Sequence, residues 1–107
     1  MLNGFALFHL NLAFSSIEEE QRATVVRDCY GPLLDLAEKH GPIGIEATAY
    51  TLQAIAKCDA GWIARLKDLI GRGKCEFIGS GFAQAIGPLL PADMVAANLR
   101  LGNDAYQ

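Results

Sequence analysis

Three short apolar segments alternate with longer segments of helical periodicity, and this order most constrains the fold. The apolar segments are Phe5–Leu12, Ile43–Thr48 and Cys75–Ile78, and each is followed by apolar residues at helical spacing. No Asn-Gly or Asp-Gly hairpin signal joins one apolar segment to the next. Strands separated by helices pair in parallel through right-handed crossovers. The sequence therefore predicts an α/β fold built from three parallel β/α units.

The first apolar segment predicts a buried strand followed by a capped helix. Phe5–Leu12 is nearly continuous in apolar residues, which is typical of a strand buried on both faces of a parallel sheet. Alternation with a period of two places His9 and Asn11 on one face of that strand. Ser15 and Ser16 each precede a glutamate by three residues, so we expect a capping box at the start of the helix.

Proline and capping residues predict where the helices begin, restart and end. The first helix is expected to end near Lys39, and Pro32 should kink or restart it because proline removes a backbone donor. Asp59 is a candidate N-cap between two helices that follow the second strand. A last helix is expected to start at Pro91. Its expected apolar residues are Met94, Ala97 and Leu101.

Polar side chains lie at or just beyond the ends of the predicted strands. Glu46 interrupts an apolar strand, where a carboxylate needs a partner or a solvated cleft. Gln84 follows the turn Gly79-Ser80-Gly81 at the end of the third strand. Because α/β enzymes place their chemistry at the carboxyl ends of parallel strands, we expect His9, Asn11, Glu46 and Gln84 to share a cleft.

Composition limits the partners. At 107 residues the chain is at most one domain, and its hydrophobic fraction of 51% with only 20% charged residues predicts apolar surface that further chain or self-association covers. The net charge of −3 does not indicate the basic surface that binds nucleic acid, so we expect no nucleic-acid partner. No apolar run of membrane-spanning length is present, so we expect no membrane partner.

Two further features indicate a cytoplasmic protein. The apolar stretch Met1–Phe14 lacks a positively charged beginning, so we interpret it as containing a buried strand and not as a signal peptide. Cys29, Cys58 and Cys75 are odd in number and widely spaced, which favours reduced thiols over disulfides or a metal site.

Residues 73–86, Gly-Lys-Cys-Glu-Phe-Ile-Gly-Ser-Gly-Phe-Ala-Gln-Ala-Ile, resemble the second sequence motif of family 57 of the glycoside hydrolases. In that motif a strand runs into a glycine-rich turn, an aromatic residue and a carboxylate. Phe8-His9-Leu10-Asn11 falls where the family carries its first, histidine-containing motif, and Ile43–Leu52 resembles its second strand and following turn. The resemblance covers nearly the whole chain.

The resemblance implies part of a distorted (β/α)7 barrel of the glycoside hydrolase/deacetylase superfamily, acting on α-glucans by retaining hydrolysis or transfer without a cofactor. In such chemistry one carboxylate attacks the sugar and a second, about 5 Å away, protonates the leaving oxygen. The family carries both carboxylates on later strands. Residues 1–107 are therefore expected to be an N-terminal fragment of the catalytic domain, supplying substrate-binding residues but no catalytic residue.

Two departures from the family pattern suggest a divergent subgroup, and two alternative functions stay open. Asn11 stands where the family has a second histidine, and Gln84 stands where it usually has a glutamate. One alternative is a metal-dependent polysaccharide deacetylase, which holds a divalent ion with an Asp and an HxxxH pair. This chain has only His9 and His40. The other alternative is a non-catalytic α/β interaction module that completes its sheet against a partner.

Overall fold

The computed structural model describes residues 4–12, 17–83 and 87–106. Within these ranges one parallel sheet has the strand order β1-β2-β3. Its strands are β1 (Leu7–Leu10), β2 (Ile43–Ala47) and β3 (Cys75–Gly79). The predicted α/β fold of three parallel β/α units is confirmed.

Five α-helical segments connect and follow the strands in the described part of the chain. Their bounds are α1 (Arg22–Val25), α2 (Gly31–His40), α3 (Ala49–Cys58), α4 (Ala60–Gly71) and α5 (Ala92–Tyr106). A 3-10 turn, Glu19–Gln21, precedes α1, and a second, Gly87–Leu89, precedes α5. None of the helices in the described ranges is long and apolar enough to span a lipid bilayer.

The first helical segment begins and restarts where local chemistry requires it. Glu18 is its N-cap, and the Glu18 N–H donates to the Gln21 side chain at 3.1 Å. The expected capping boxes of Ser15 and Ser16 lie outside the described residues. Between α1 and α2 the helix widens into a π-helical turn, Val26–Tyr30, and the Gly31 N–H donates to the Val26 carbonyl. The restart predicted at Pro32 is confirmed, because proline offers no N–H to continue the regular ladder.

The helices cover one face of the sheet, and no helix in the described part of the chain covers the other face. Ile43, Ile45 and Ala47 alternate on the covered face and are buried. They join one core with apolar residues of the other strands and of the helices: Leu10, Val26, Leu34, Ile55, Trp62, Leu66, Leu69 and Cys75. Leu7, on the opposite face, is 52% exposed. The expectation that β1 is buried on both faces is therefore wrong, because nothing in the described residues covers its second face.

The last helix packs by a different stripe from the one expected. Met94 and Leu101 are 55% and 56% exposed. The residues that contact the rest of the fold are Asn98, Gly102 and Tyr106, four residues apart. The surface beneath Asn98 and Gly102 is the backbone of the loop after β3, which accepts hydrogen bonds and a close approach better than it accepts bulky apolar side chains.

Candidate functional site

The uncovered face of the sheet brings two of the four predicted site residues together. Parallel register sets His9 on β1 beside Glu46 on β2. Since side chains alternate along a strand, both point to the same face as Leu7 and Ile78. We call this surface, formed by Leu7, His9, Glu46, Glu76 and Ile78, the open face.

His9 and Glu46 form a hydrogen-bonded pair on the open face. His9 Nδ1 is bonded to Glu46 Oε2, and the two side chains are 49% and 19% exposed. This pairing gives the strand carboxylate the partner that its position requires. It also leaves His9 Nε2 without a hydrogen-bond partner among the described residues, so the pair can still bind a ligand through that nitrogen and through the second carboxylate oxygen.

The other two predicted residues are placed differently. β1 ends at Leu10, so Asn11 lies just beyond the strand, where its carbonyl accepts a hydrogen bond from the Tyr30 hydroxyl at 3.4 Å. Burial raises the pKa of Tyr30 above its ordinary value, so this hydroxyl stays protonated and remains a donor. Gln84 lies outside the described residues. The proximity of Gln84 to the His9–Glu46 pair stays a prediction.

Tyr106 joins the carboxyl ends of β2 and β3. Its hydroxyl donates to the Ala47 carbonyl at 2.8 Å and accepts from the Ser80 N–H at 3.1 Å. Its ring lies against Phe77 with centroids 5.3 Å apart and also lies over Gly79, where a Cβ would be 2.9 Å from the ring. The end of the sheet nearest the predicted cleft is therefore tied to the last helix.

Asn98 holds the loop that precedes Gln84. The Ala83 N–H donates to Asn98 Oδ1 at 2.8 Å, and Asn98 Nδ2 donates to the Ala83 carbonyl at 2.9 Å. The Phe82 N–H also donates to the Asn98 carbonyl at 3.0 Å. An amide that donates and accepts can satisfy both backbone groups of one residue. The four-residue spacing of Asn98, Gly102 and Tyr106 was the sequence signal for this contact. It was missed because the apolar residues of the same helix predicted a different contact stripe.

The carboxyl end of β1 is tied to α3 by polar side chains. The Leu12 N–H donates to Thr51 Oγ1 at 3.2 Å, and the Thr48 hydroxyl donates to the same oxygen at 3.1 Å. Arg22 Nη2 donates to the Leu12 carbonyl at 3.1 Å and to the Tyr50 hydroxyl at 3.4 Å. The hydrogen bond to Tyr50 raises the pKa of Arg22 above its ordinary value. Sequence reasoning missed this group of contacts because its members are far apart in the chain.

Metal binding finds no support in the described residues. No group of three or more His, Cys, Asp or Glu side chains in the described part of the chain comes together as a metal site. His40 lies at the end of α2, whereas His9 lies on the open face.

Comparison with known proteins identifies the family. Among solved structures, the fold is similar to a 4-alpha-glucanotransferase from Thermococcus litoralis, with a TM-score of 0.79 and 17% identity over 95% of this chain. The chain spans 16% of the length of that enzyme, so the likeness establishes the fold alone. No curated protein matches the chain significantly. The sequence profile of glycosyl hydrolase family 57 matches residues 6–107, and because this match takes in nearly the whole chain, the protein belongs to glycosyl hydrolase family 57.

Proposed function

We propose that this chain forms the first wall of the glycan-binding cleft of a family 57 enzyme that acts on α-glucans by retaining hydrolysis or transfer. The observation that carries the proposal is the His9–Glu46 pair, which stands near the carboxyl ends of adjacent parallel strands on the open face. Family membership supports a carbohydrate substrate. The structural similarity to a 4-alpha-glucanotransferase supports an α-glucan.

The proposed sugar contacts follow from the chemistry of the side chains. Glu46 accepts hydrogen bonds from sugar hydroxyls, while its bond to His9 holds the carboxylate in place. His9 Nε2 accepts from a hydroxyl when the ring is neutral and donates to one when it is protonated. Asn11 and Gln84 both carry amides, which donate and accept at once, and we assign them to further hydroxyls of the same glycan.

We assign neither catalytic carboxylate to this chain. Glu46 is engaged with His9. Glu76 pairs in register with Gly44, two residues further from the carboxyl ends of the strands than Glu46. A retaining mechanism needs two carboxylates about 5 Å apart on either side of the scissile bond. Such a pair is expected on later strands of the barrel, so the 107-residue chain alone should show no turnover.

The apolar part of the open face supports a further partner. Leu7 and Ile78 on the open face, and Phe5, which lies over Gly44, are exposed large hydrophobic residues. Several large apolar side chains exposed on one face of a sheet indicate a surface that a further part of the fold or a partner covers. We assign the cover to the remaining strands of the barrel, and self-association of the isolated chain is the substitute expected in their absence. Sedimentation velocity of the 107-residue chain should detect this self-association, and a monomer at all concentrations would contradict it.

A binding titration tests the sugar contacts. We would titrate the chain with an α-1,4-linked gluco-oligosaccharide and follow amide shifts by NMR, with a β-1,4-linked oligosaccharide as the comparison. Glu46→Gln should weaken binding of the α-linked ligand about tenfold, because it replaces a charge-assisted hydrogen bond by a neutral one. Glu76→Gln, on the same face and the adjacent strand, is the matched control and should bind like the parent chain.

Two results would contradict the proposal. Equal losses in Glu46→Gln and Glu76→Gln would mean that the His9–Glu46 pair does not contact the sugar. Release of reducing sugar or glucan transfer by the isolated chain would contradict the assignment of both catalytic carboxylates to later strands.

A further inference from the structure

A second concave site lies on the helical side of the sheet. A cavity of about 320 Å³ opens between the start of the first helical segment and α3. No open-face residue lines it. The polar groups that line it are Glu19, Arg22, Tyr50, Gln53, Lys57 and Cys58.

Arg22 differs from three other arginines of the chain in the groups that its guanidinium contacts. Arg27, Arg65 and Arg72 each lie within 2.9 Å of a carboxylate oxygen. Arg22 instead donates to two neutral acceptors, and its guanidinium carbon lies 5.8 Å from the centroid of the Tyr50 ring. Glu19 is the carboxylate whose charge acts on Arg22, but no carboxylate of the described residues forms an ion pair with its guanidinium. An anion in the adjacent cavity would add a closer counter-charge.

The remaining lining residues make the cavity a site for an anion. Lys57 adds a second cation, while Glu19 contributes the one carboxylate among the lining residues, so the cavity has a formal charge of +1 on a chain of −3. Tyr50 and Gln53 add a hydroxyl and an amide as hydrogen-bond donors.

We propose that the cavity beside Arg22 and Lys57 binds a phosphate group, from inorganic phosphate or from a small phosphate monoester. The guanidinium fork of arginine matches the geometry of phosphate oxygens, and lysine supplies a second point charge. The cavity is large enough for a phosphate and for part of an attached sugar or polyol. The proposal does not depend on glycan binding, because the cavity shares no lining residue with the open face.

The chain contains its own reporter and control for this site. Cys58 lines the cavity, and Cys29 is an exposed thiol outside it. We would measure the rates at which a neutral maleimide modifies both thiols by peptide mass spectrometry, with and without inorganic phosphate at constant ionic strength. At a phosphate concentration of about twice the dissociation constant, mass action predicts about threefold slower modification of Cys58 and no change at Cys29. A parallel series with a hexose phosphate distinguishes a monoester from free phosphate.

Three variants should differ from one another in phosphate binding. Lys57→Gln should raise the dissociation constant for phosphate, measured from the protection of Cys58, about tenfold, because one charge-assisted hydrogen bond is lost. Glu19→Gln should strengthen phosphate binding, because the opposing carboxylate is removed, and a purely structural effect would not produce this gain. Lys67→Gln, an exposed lysine on α4 outside the cavity, should leave protection unchanged.

Three results would overturn the proposal. They are equal slowing of Cys58 and Cys29, no slowing of Cys58 by either phosphate, and equal losses in Lys57→Gln and Lys67→Gln. Protection by inorganic phosphate alone supports a free-phosphate site, whereas stronger protection by the hexose phosphate supports a monoester site.

Discussion

Gly102 is the position at which α5 most closely approaches the loop after β3. An added Cβ at this position would lie 2.7 Å from the Gly81 carbonyl carbon and 2.8 Å from the Phe82 nitrogen. Both are backbone atoms, which cannot rotate out of the way as a side chain can. Gly102→Ala therefore forces α5 and the loop apart. Because ordinary carbon contacts are about 3.5–4.0 Å, the separation must increase by roughly 1 Å.

Several contributions determine the size of the effect. Alanine gains about 1 kcal/mol over glycine in helix propensity. Overpacking against a rigid neighbour costs about 1–3 kcal/mol. The displaced helix also weakens the hydrogen bonds that Asn98 and Tyr106 make to the loop and to β2, each contributing about 1 kcal/mol. We expect a net decrease of about 2 kcal/mol in the free energy of unfolding, or roughly 10 °C in Tm for a chain of this size.

Urea denaturation followed by circular dichroism measures this difference. Hydrogen exchange adds a local readout, since the Phe82 and Ala83 amides should lose protection in Gly102→Ala. Gly71→Ala is the matched control, because Gly71 is also in a helix and has no neighbouring atom within 4 Å of an added Cβ. It should be neutral or stabilising by up to about 1 kcal/mol. A Gly102→Ala variant as stable as the parent chain would refute the close packing of α5 on the loop.

Three further predictions each concern one side chain. Tyr106→Phe should lower the free energy of unfolding by about 1–3 kcal/mol because it removes the hydroxyl that joins β2 and β3, and an unchanged urea midpoint would contradict this role. Thr51→Val should also lower the free energy of unfolding by about 1–3 kcal/mol, because it leaves the buried Leu12 N–H without its acceptor. An unchanged urea midpoint would contradict this prediction as well. Burial raises the pKa of Cys75, so the folded state holds this thiol proton more tightly than the unfolded state. Stability should therefore fall as pH rises beyond the ordinary thiol pKa of about 8.5, and Cys75→Ala should flatten that slope in urea titrations between neutral and alkaline pH.

Local features of the fold were predictable from short stretches of sequence. Asp59 caps α4, with its carboxylate accepting from the Trp62 N–H at 3.2 Å, as its position before an apolar stripe indicated. The restart at Pro32 follows from the missing N–H of proline. The family resemblance, which depended on strand ends and glycine turns, is confirmed by the profile match. Each of these depends on a few consecutive residues or on a regular period.

The candidate site was predictable only in part. The positions of His9 and Glu46 at strand ends could be deduced, but the sequence left open whether Glu46 has a partner side chain or lies in a solvated cleft. Residues 37 positions apart become neighbours only through the register of β1 against β2. Register is set by the whole pairing of two strands and by the core beneath them, so no local pattern specifies it.

The element order, the parallel pairing of the strands and the family could all be deduced from the amino-acid sequence. These follow from periodicity, capping residues and glycine turns, which act over short distances along the chain. Only the packed structure shows that Glu46 is hydrogen-bonded to His9 and that α5 packs by Asn98, Gly102 and Tyr106. It also shows that Arg22 lines a cavity and forms no ion pair within the described residues. The physical reason is the same in each case: these contacts join distant parts of the chain, and their geometry exists only after the sheet and helices have packed together.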